Sequence, residues 1–574
     1  MKPRLLHALV LILAPGLPAL AAQEPVATPS APRLIRDRIH VFEMDRGLIT
    51  RRHPLRGSPA QLDALESWMQ GVLASLRGLD PRSMNADEKI DHLLFLDHCK
   101  AALEGLHRER ELSDRIRKWI PACLLIERLV EGSQRLEDLD EKATLADLSN
   151  TRVRTQLTLQ ALEDPEVKKP DGILARQVAR RCDEYRRALE AWIRGREGFD
   201  PAFSWWLPAE ARKLAAEVEK LGKRMRVIAE KAGGKLGILG RPIGREALVA
   251  ALRRERIAYT PEELIEIGRR ELEWCRVERA KASRALGFGD DWKRALDAVK
   301  QDFVPPGRQP ALIRELAEEA ITFLETRRLI RIPDLAKEGW RIQMMPAARQ
   351  RYTPYFTGGE VISVAYPMAD MDARQKLMTM RGNNRHFSRA TVFHELIPGH
   401  HLQGFMAQRH HPWRSLFRTP FLVEGWALYW ELRLWDLDFA KDPKDKLGML
   451  FWRSHRCARI IFSLSFHLGK MSPQEAIDFL VKEIGHERKN ATAEVRRSFE
   501  GGYSPLYQAA YMIGGLQLRA LHRELVVAGK MSEMDFHQAV LEQNSIPVSL
   551  IRARLTGHIP SPDAAPSWRF YPLH

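Results

Sequence analysis

Residues 391–403 read Thr-Val-Phe-His-Glu-Leu-Ile-Pro-Gly-His-His-Leu-Gln, a run that holds a His-Glu pair, a His-His pair and a Pro-Gly between them. Zinc peptidases commonly present His-Glu-x-x-His, two imidazoles one helical turn apart with a glutamate base beside the metal. Here Pro398 stands in the fifth position of that pattern. On an unbroken helix His394 and His400 would point about 240° apart, and His394 and His401 would differ by about 10 Å in height. Neither pair could then reach one zinc. Pro398 cannot donate to the His394 carbonyl, and Gly399 loosens the next step, so a local bulge is expected to swing His400 back towards His394. His401 is the reserve ligand.

A zinc site needs a third protein ligand and leaves a fourth position open. Glu424 supplies it from Phe421-Leu422-Val423-Glu424-Gly425-Trp426-Ala427-Leu428-Tyr429, because a carboxylate among apolar side chains is costly to bury unless paired or metal-bound. Glu395, next to His394, is expected to act as general base, taking a proton from the attacking water and passing it to the leaving amine. A donor is also needed for the developing oxyanion. The Tyr- and Gly-rich stretch 501–515 offers Tyr511 first and Tyr503 second. His467 and Arg497 are further candidates for binding a substrate carboxylate or stabilising charge. One zinc ion is the expected cofactor and a peptide the expected substrate.

These residues must be positioned by mainly helical elements. Segments 58–78, 86–111, 172–195, 207–233, 261–286 and 309–327 repeat apolar residues at three- and four-residue steps, with Arg, Lys and Glu between. Stops such as Gly233-Gly234 and Pro305-Pro306-Gly307 separate them. The pattern changes just before the His-Glu run. Leu329–Pro333, Trp340–Gln343 and Glu360–Tyr366 read as short strands, with Gly358-Gly359 as turn. A small sheet there is either an edge that holds an extended substrate by main-chain pairing or a plain structural ribbon. The expected organisation is a helical lobe at 57–325 and a zinc-binding catalytic region at 326–574, packed with it as one unit.

The N-terminus reads differently. Lys2 and Arg4, the apolar Ala8–Ala14 and the small residues Ala19–Ala22 form an export signal over 1–22, too short and too broken by Pro15, Gly16 and Pro18 to span a bilayer. Residues 23–56 are expected as a leader and extension, flexible where Pro and Ala dominate at 23–33. The mature chain is therefore expected outside the cytoplasm, periplasmic or extracellular, with no integral membrane segment. At 574 residues, 45% apolar and 29% charged, it has the composition of a globular protein rather than a disordered one. Five cysteines at wide spacing, without a C-x-x-C pair, argue against a disulfide framework or a Cys-based zinc site. The formal charge of +16 invites a nucleic-acid reading. Yet basic and acidic residues interleave, as in Arg253-Arg254-Glu255-Arg256, and no recognition motif accompanies them. No nucleic-acid partner is expected; the charge suits solubility and attraction to anionic material or acidic substrates.

The run His394–Gln403 followed by Glu424–Tyr429 resembles the bacterial family labelled domain of unknown function 885, which is similar to the gluzincin zinc peptidases. The likeness extends through Arg459–His467 and the Pro505–Gly514 segment. It implies a mainly α, gluzincin-like metallopeptidase fold, with His394, His400 and Glu424 on zinc, Glu395 as base and Tyr511 in the family's Tyr position. The chain departs from the family pattern in having Ser463 for Asp, Ser465 for Gly and Tyr507 for Gln, which bears on substrate preference more than on metal binding. The expected function is an exported zinc metallopeptidase acting on oligopeptides. The alternatives are a non-catalytic peptide-binding protein on a peptidase fold, or a zinc hydrolase of another amide or ester.

Overall fold

Apolar periodicity and stop signals translate into helices with well-formed starts. The computed structural model describes residues 34–350, 356–500 and 502–573; the export signal at 1–22 and the leader at 23–33 lie outside the described residues. The six expected helices are Pro59–Arg77, Ala86–Arg117, Gly172–Arg194, Pro208–Ala232, Pro261–Ala285 and Gln309–Thr326. Ser58 caps the first of them by accepting from the Gln61 N–H. Asn85 with Glu88, and Thr260 with Glu263, form reciprocal capping boxes that satisfy otherwise orphaned donors. The molecule is mainly α, with one three-stranded sheet among the described residues.

The N-terminal extension takes a definite form, and one expectation about local structure needs correction. Within the extension expected at 23–56, Ile35–Arg52 is a helix, and Ile35, Ile39 and Phe42 are buried in the core. The Pro/Ala-rich composition ends at Pro32, and these three apolar residues then recur at helical steps of four and three. Leu329–Pro333 is not a strand; Leu329 and Ile330 sit in the core ahead of the short helix Asp334–Gly339. Their apolar character reflects burial, and Pro333 has no N–H for a ladder.

The sheet comprises β1 (Arg341–Met344), β2 (Phe356–Thr357) and β3 (Val361–Val364) in the order β1-β3-β2. β1 runs parallel to β3, with Arg341 opposite Val361, and β2 runs antiparallel, with Phe356 opposite Val364. Phe356, Ile362 and Val364 pack in one cluster with Leu312, Ile313 and Leu316 and with Val392 and Leu396 of the His-Glu segment. The sheet is thereby fixed against the helix that carries His394.

The helices Pro420–Asp436 and Pro443–His467 are buried along almost their whole length, the second with Arg453, Arg456 and Arg459 among its buried residues. Pro420–Asp436 meets Tyr507–His522 backbone to backbone. A Cβ on Gly425 would lie 2.6 Å from Gly514 Cα, and one on Gly514 would lie 1.9 Å from the Phe421 carbonyl oxygen. Only glycine permits that approach, and it brings Glu424 beside the tyrosines of the partner helix. The five cysteines are free and buried. Among the described residues no helix is long and apolar enough to cross a membrane.

Candidate metal centre

Pro398-Gly399 breaks the chain more thoroughly than a bulge would. The helix Arg385–Glu395 ends at the His-Glu pair, Leu396 leaves helical space at φ −105°, ψ −104°, and a new helix runs from His400 to Ala407. Gly399 N–H donates to the Phe393 carbonyl at 3.0 Å, and His401 N–H to that of Leu396 at 3.1 Å. The buried Trp426 donates from Nε1 to the Pro398 carbonyl at 2.7 Å and pins the break from below. The expected bulge is therefore a helix–break–helix, because the missing proline N–H coincides with a glycine that can press onto the preceding turn. The outcome for the side chains is the expected one: the His394 and His400 rings stand 4.9 Å apart, nearly perpendicular.

His394, His400 and Glu424 converge. One ligand-type atom from each falls within 4.8 Å of the others. Glu424 Oε2 lies 3.2 Å from His400 Nε2 and 3.9 Å from His394 Nε2. Tetrahedral zinc with bonds of about 2.0–2.2 Å separates its donors by about 3.3 Å, so small inward movements would close the set. Two supports behind the ligands fit the same purpose. Glu431 Oε1 is 2.7 Å from His394 Nδ1, an ion-pair contact without hydrogen-bond alignment, while His394 Nε2 is the atom nearer Glu424. Tyr507 donates its hydroxyl to Glu424 Oε1, leaving Oε2 facing the histidines. Such partners orient ligands and fix their protonation. Burial would raise the Glu424 pKa, but His400, His394 and the Tyr507 donor outweigh it and hold the carboxyl far below the ordinary range. Burial opposes charge on His400 as well, and Glu424 lifts its pKa above the ordinary value. A two-His, one-Glu donor set with oriented outer partners fits zinc. Tyr507→Phe is expected to weaken zinc binding by about 10- to 100-fold without unfolding the chain, measurable by competition with a chromophoric chelator.

His394, His400 and Glu424 open into a cleft of about 1040 Å³ that also exposes Glu395, Tyr503, Tyr507, Tyr511 and the turn after β2. Glu395 closes its helix, and its carbonyl accepts from Gly359 N–H at 3.3 Å. Thr357, Gly358, Gly359 and Glu360 line the cleft beside it, and β2 forms an edge of the sheet. Tyr511 stacks on His394 at 6.5 Å between ring centroids and 14° between planes. Burial first, and the Glu424 charge next, push its phenol up to about 12, so it stays protonated and able to donate at neutral pH. Tyr503, 39% exposed, sits at the mouth with its ring 4.3 Å from that of Tyr507. Arg497 faces the cleft as well.

Two candidates take other places. His401 donates from Nε2 to the Ala336 carbonyl at 2.8 Å, anchoring the short helix ahead of the sheet rather than joining the ligands. His467 lies at the end of Pro443–His467, packed near Phe466 and Phe499 and away from the cleft-lining residues. Burial drives its pKa down to about 4. It sits two turns beyond Arg459, the last residue of that helix to reach the cleft. Glu431, Arg456, Arg459 and Glu494 were not singled out from sequence. Glu431 carried a usable signal: it follows Glu424 by seven in the same apolar run, two turns on and on one face.

Comparison with known proteins adds the fold and the family. Among solved structures, a candidate lipoprotein of unknown function from Shewanella oneidensis is similar at a TM-score of 0.66 and 16% identity, covering 91% of this chain and 99% of that one. A candidate lipoprotein from Colwellia psychrerythraea is similar at a TM-score of 0.59 and 14% identity, covering 92% and 99%. At these identities the likeness concerns the fold. No curated protein matches. The family described as "Bacterial protein of unknown function (DUF885)" matches residues 46–555. From Asp45's neighbour to the last helix, the chain belongs to that bacterial family, DUF885.

Proposed function

We propose that the protein is a zinc-dependent metallopeptidase that hydrolyses extended oligopeptides in this cleft. The observation that carries the reading is the convergence of His394, His400 and Glu424, with Glu395 adjacent and Glu431 and Tyr507 behind. Zinc bound there would supply a polarised carbonyl and an acidified water. Glu395 takes the proton of the attacking water and delivers it to the leaving amine. Tyr511, protonated and stacked on His394, is the donor for the developing oxyanion. β2 and its Gly358-Gly359 turn support a peptide held in extended form by main-chain pairing next to Glu395. An exported location, periplasmic or extracellular, belongs to the same proposal; the signal-like residues 1–22 support it, as do the candidate-lipoprotein descriptions of the two similar structures.

The test is metal analysis joined to a peptide library. One zinc per chain is expected by mass spectrometry of the purified protein, with hydrolysis abolished by a chelator and restored by zinc. Metal-loaded protein that cleaves no member of a broad library would overturn the reading.

A further inference from the structure

Part of the cleft wall is built from Arg456 and Arg459 on Pro443–His467 and Arg497 on Arg488–Phe499. Arg459 is only 4% exposed and Arg456 6%. Buried guanidinium groups are costly unless their donors are matched by anions, and these are matched incompletely. Glu494 accepts from Arg459 Nε at 2.7 Å and lies 3.8 Å from Arg497 Nε. Arg456 approaches Glu431 at 3.6 Å, but that carboxylate already backs His394 at 2.7 Å. Arg459 Nη1, Arg456 Nε and Arg497 Nε are buried and make no hydrogen bond among the described residues. His455 and His486 face the same region and add no charge: burial drives His455 well below its ordinary value and His486 down to about 3. Glu494 stays ionised, since Arg459 and Arg497 outweigh its burial and hold it at about 2. Three cations thus share one dedicated carboxylate on a wall that faces the cleft.

The tyrosines hold this wall at a defined reach from the ligands. Arg459 and Arg456 stand 4.5 and 4.9 Å over the Tyr511 ring, and Arg497 4.9 Å over that of Tyr503. Tyr511 in turn lies 6.5 Å from His394 and 5.7 Å from Tyr507, ring centroid to ring centroid. An extended chain advances about 3.3 Å per residue, so the guanidinium groups lie about one to three residues from a bond at the metal centre. Guanidinium forks pair bidentately with carboxylates and phosphates, and a carboxylate is the anion an unmodified peptide carries.

We infer that the peptide taken by this cleft carries a carboxylate within one to three residues of the scissile bond, paired with Arg456, Arg459 and Arg497. The inference rests on the peptidase reading for the word scissile; the carboxylate pairing itself can be tested as binding. That chemistry has two sources, a C-terminal α-carboxylate or an Asp or Glu side chain. The experiment measures peptide binding by calorimetry to the zinc-loaded Glu395→Gln chain, and kcat/KM on the unmodified chain. Three matched peptides are used: a free C-terminal acid, its C-terminal amide, and the amide with Glu in the last two positions. One or both acidic peptides are expected to bind about 10- to 100-fold tighter than the neutral amide, the effect of charge-assisted hydrogen bonds. That advantage should shrink at least severalfold in Arg456→Gln/Arg497→Gln. A preference for the free acid alone assigns the terminal carboxylate; a preference for the Glu-bearing amide assigns the side chain. Equal affinity of all three for the Glu395→Gln chain overturns the inference even if the arginine variant fails to fold. If the unmodified chain cleaves the neutral amide as fast as the acids, the carboxylate pairing falls and the peptidase reading stands. If nothing is cleaved while the acids still bind preferentially, the peptidase reading falls and the pairing stands.

Discussion

Glu395→Gln is expected to lower peptide hydrolysis by about 10²- to 10⁴-fold, the usual contribution of a positioned general base, while zinc content stays at one per chain. The side chain replaced is not among the converging ligands. Glutamine keeps the shape of glutamate, so the packing of residue 395 against Gly358 and the hydrogen bond from Gly359 N–H to its carbonyl are preserved. What disappears is the proton acceptor. The amide can neither take a proton from water nor return one to the leaving amine, so the loss should fall on kcat, with KM little changed. His394→Ala makes the contrast, because removing a ligand should remove the zinc together with the activity. Stopped-assay rates and metal analysis on both variants separate the two roles. Activity within tenfold of the unmodified chain in Glu395→Gln would remove Glu395 from the mechanism.

The candidate site was legible in the sequence where a chemistry-bearing residue interrupts an apolar run. His394 and Glu424 stand out in this way, and the Pro398-Gly399 pair marks where the helix must fail. The form of the failure was not legible. Whether a Pro-Gly pair yields a bulge or a complete break depends on what lies beneath it, here the Trp426 indole that captures the Pro398 carbonyl. Tyr507 read as a departure from a family pattern, yet its hydroxyl binds Glu424. That contact follows from how closely Pro420–Asp436 and Tyr507–His522 approach at Gly425 and Gly514, a register that no single segment encodes. His467 misled for a related reason. Periodicity identifies a buried helix without saying which of its ends opens on the cleft, and the cleft takes Trp452, His455, Arg456 and Arg459 instead. The helices themselves were readable because period, cap and stop coincide, as at Thr260-Pro261 and Glu263. The short strands were readable only in part: β2 has two residues, too few for an alternation to show.

Gly399→Ala should raise the zinc dissociation constant by more than about 100-fold, a larger effect than that of losing an outer partner such as Tyr507. A Cβ at position 399 would lie 1.8 Å from the His394 carbonyl oxygen, 2.4 Å from its carbonyl carbon and 2.6 Å from the Phe393 carbonyl oxygen. All three are backbone atoms of the turn that carries a ligand, so no side-chain rotation relieves the overlap. The segment has to move by about 1.6 Å to bring the shortest of these contacts to an ordinary packing distance. Zinc bonds hold to within about 0.2 Å of their ideal lengths, and residue 399 directly precedes His400. The displacement therefore falls on the separation of the two imidazoles. Gly404→Ala is the matched control: it sits in the helix His400–Ala407, and a Cβ there meets nothing within 4 Å. Alanine should favour that helix by up to about 1 kcal/mol and leave zinc affinity unchanged. Chelator competition gives the affinities, and far-ultraviolet circular dichroism shows whether both chains keep their helices. If Gly399→Ala bound zinc as tightly as Gly404→Ala, the contact between Gly399 and the His394 carbonyl would not be what brings the histidines together, and the ligand set would have to be held by Glu431, Tyr507 and Trp426 alone.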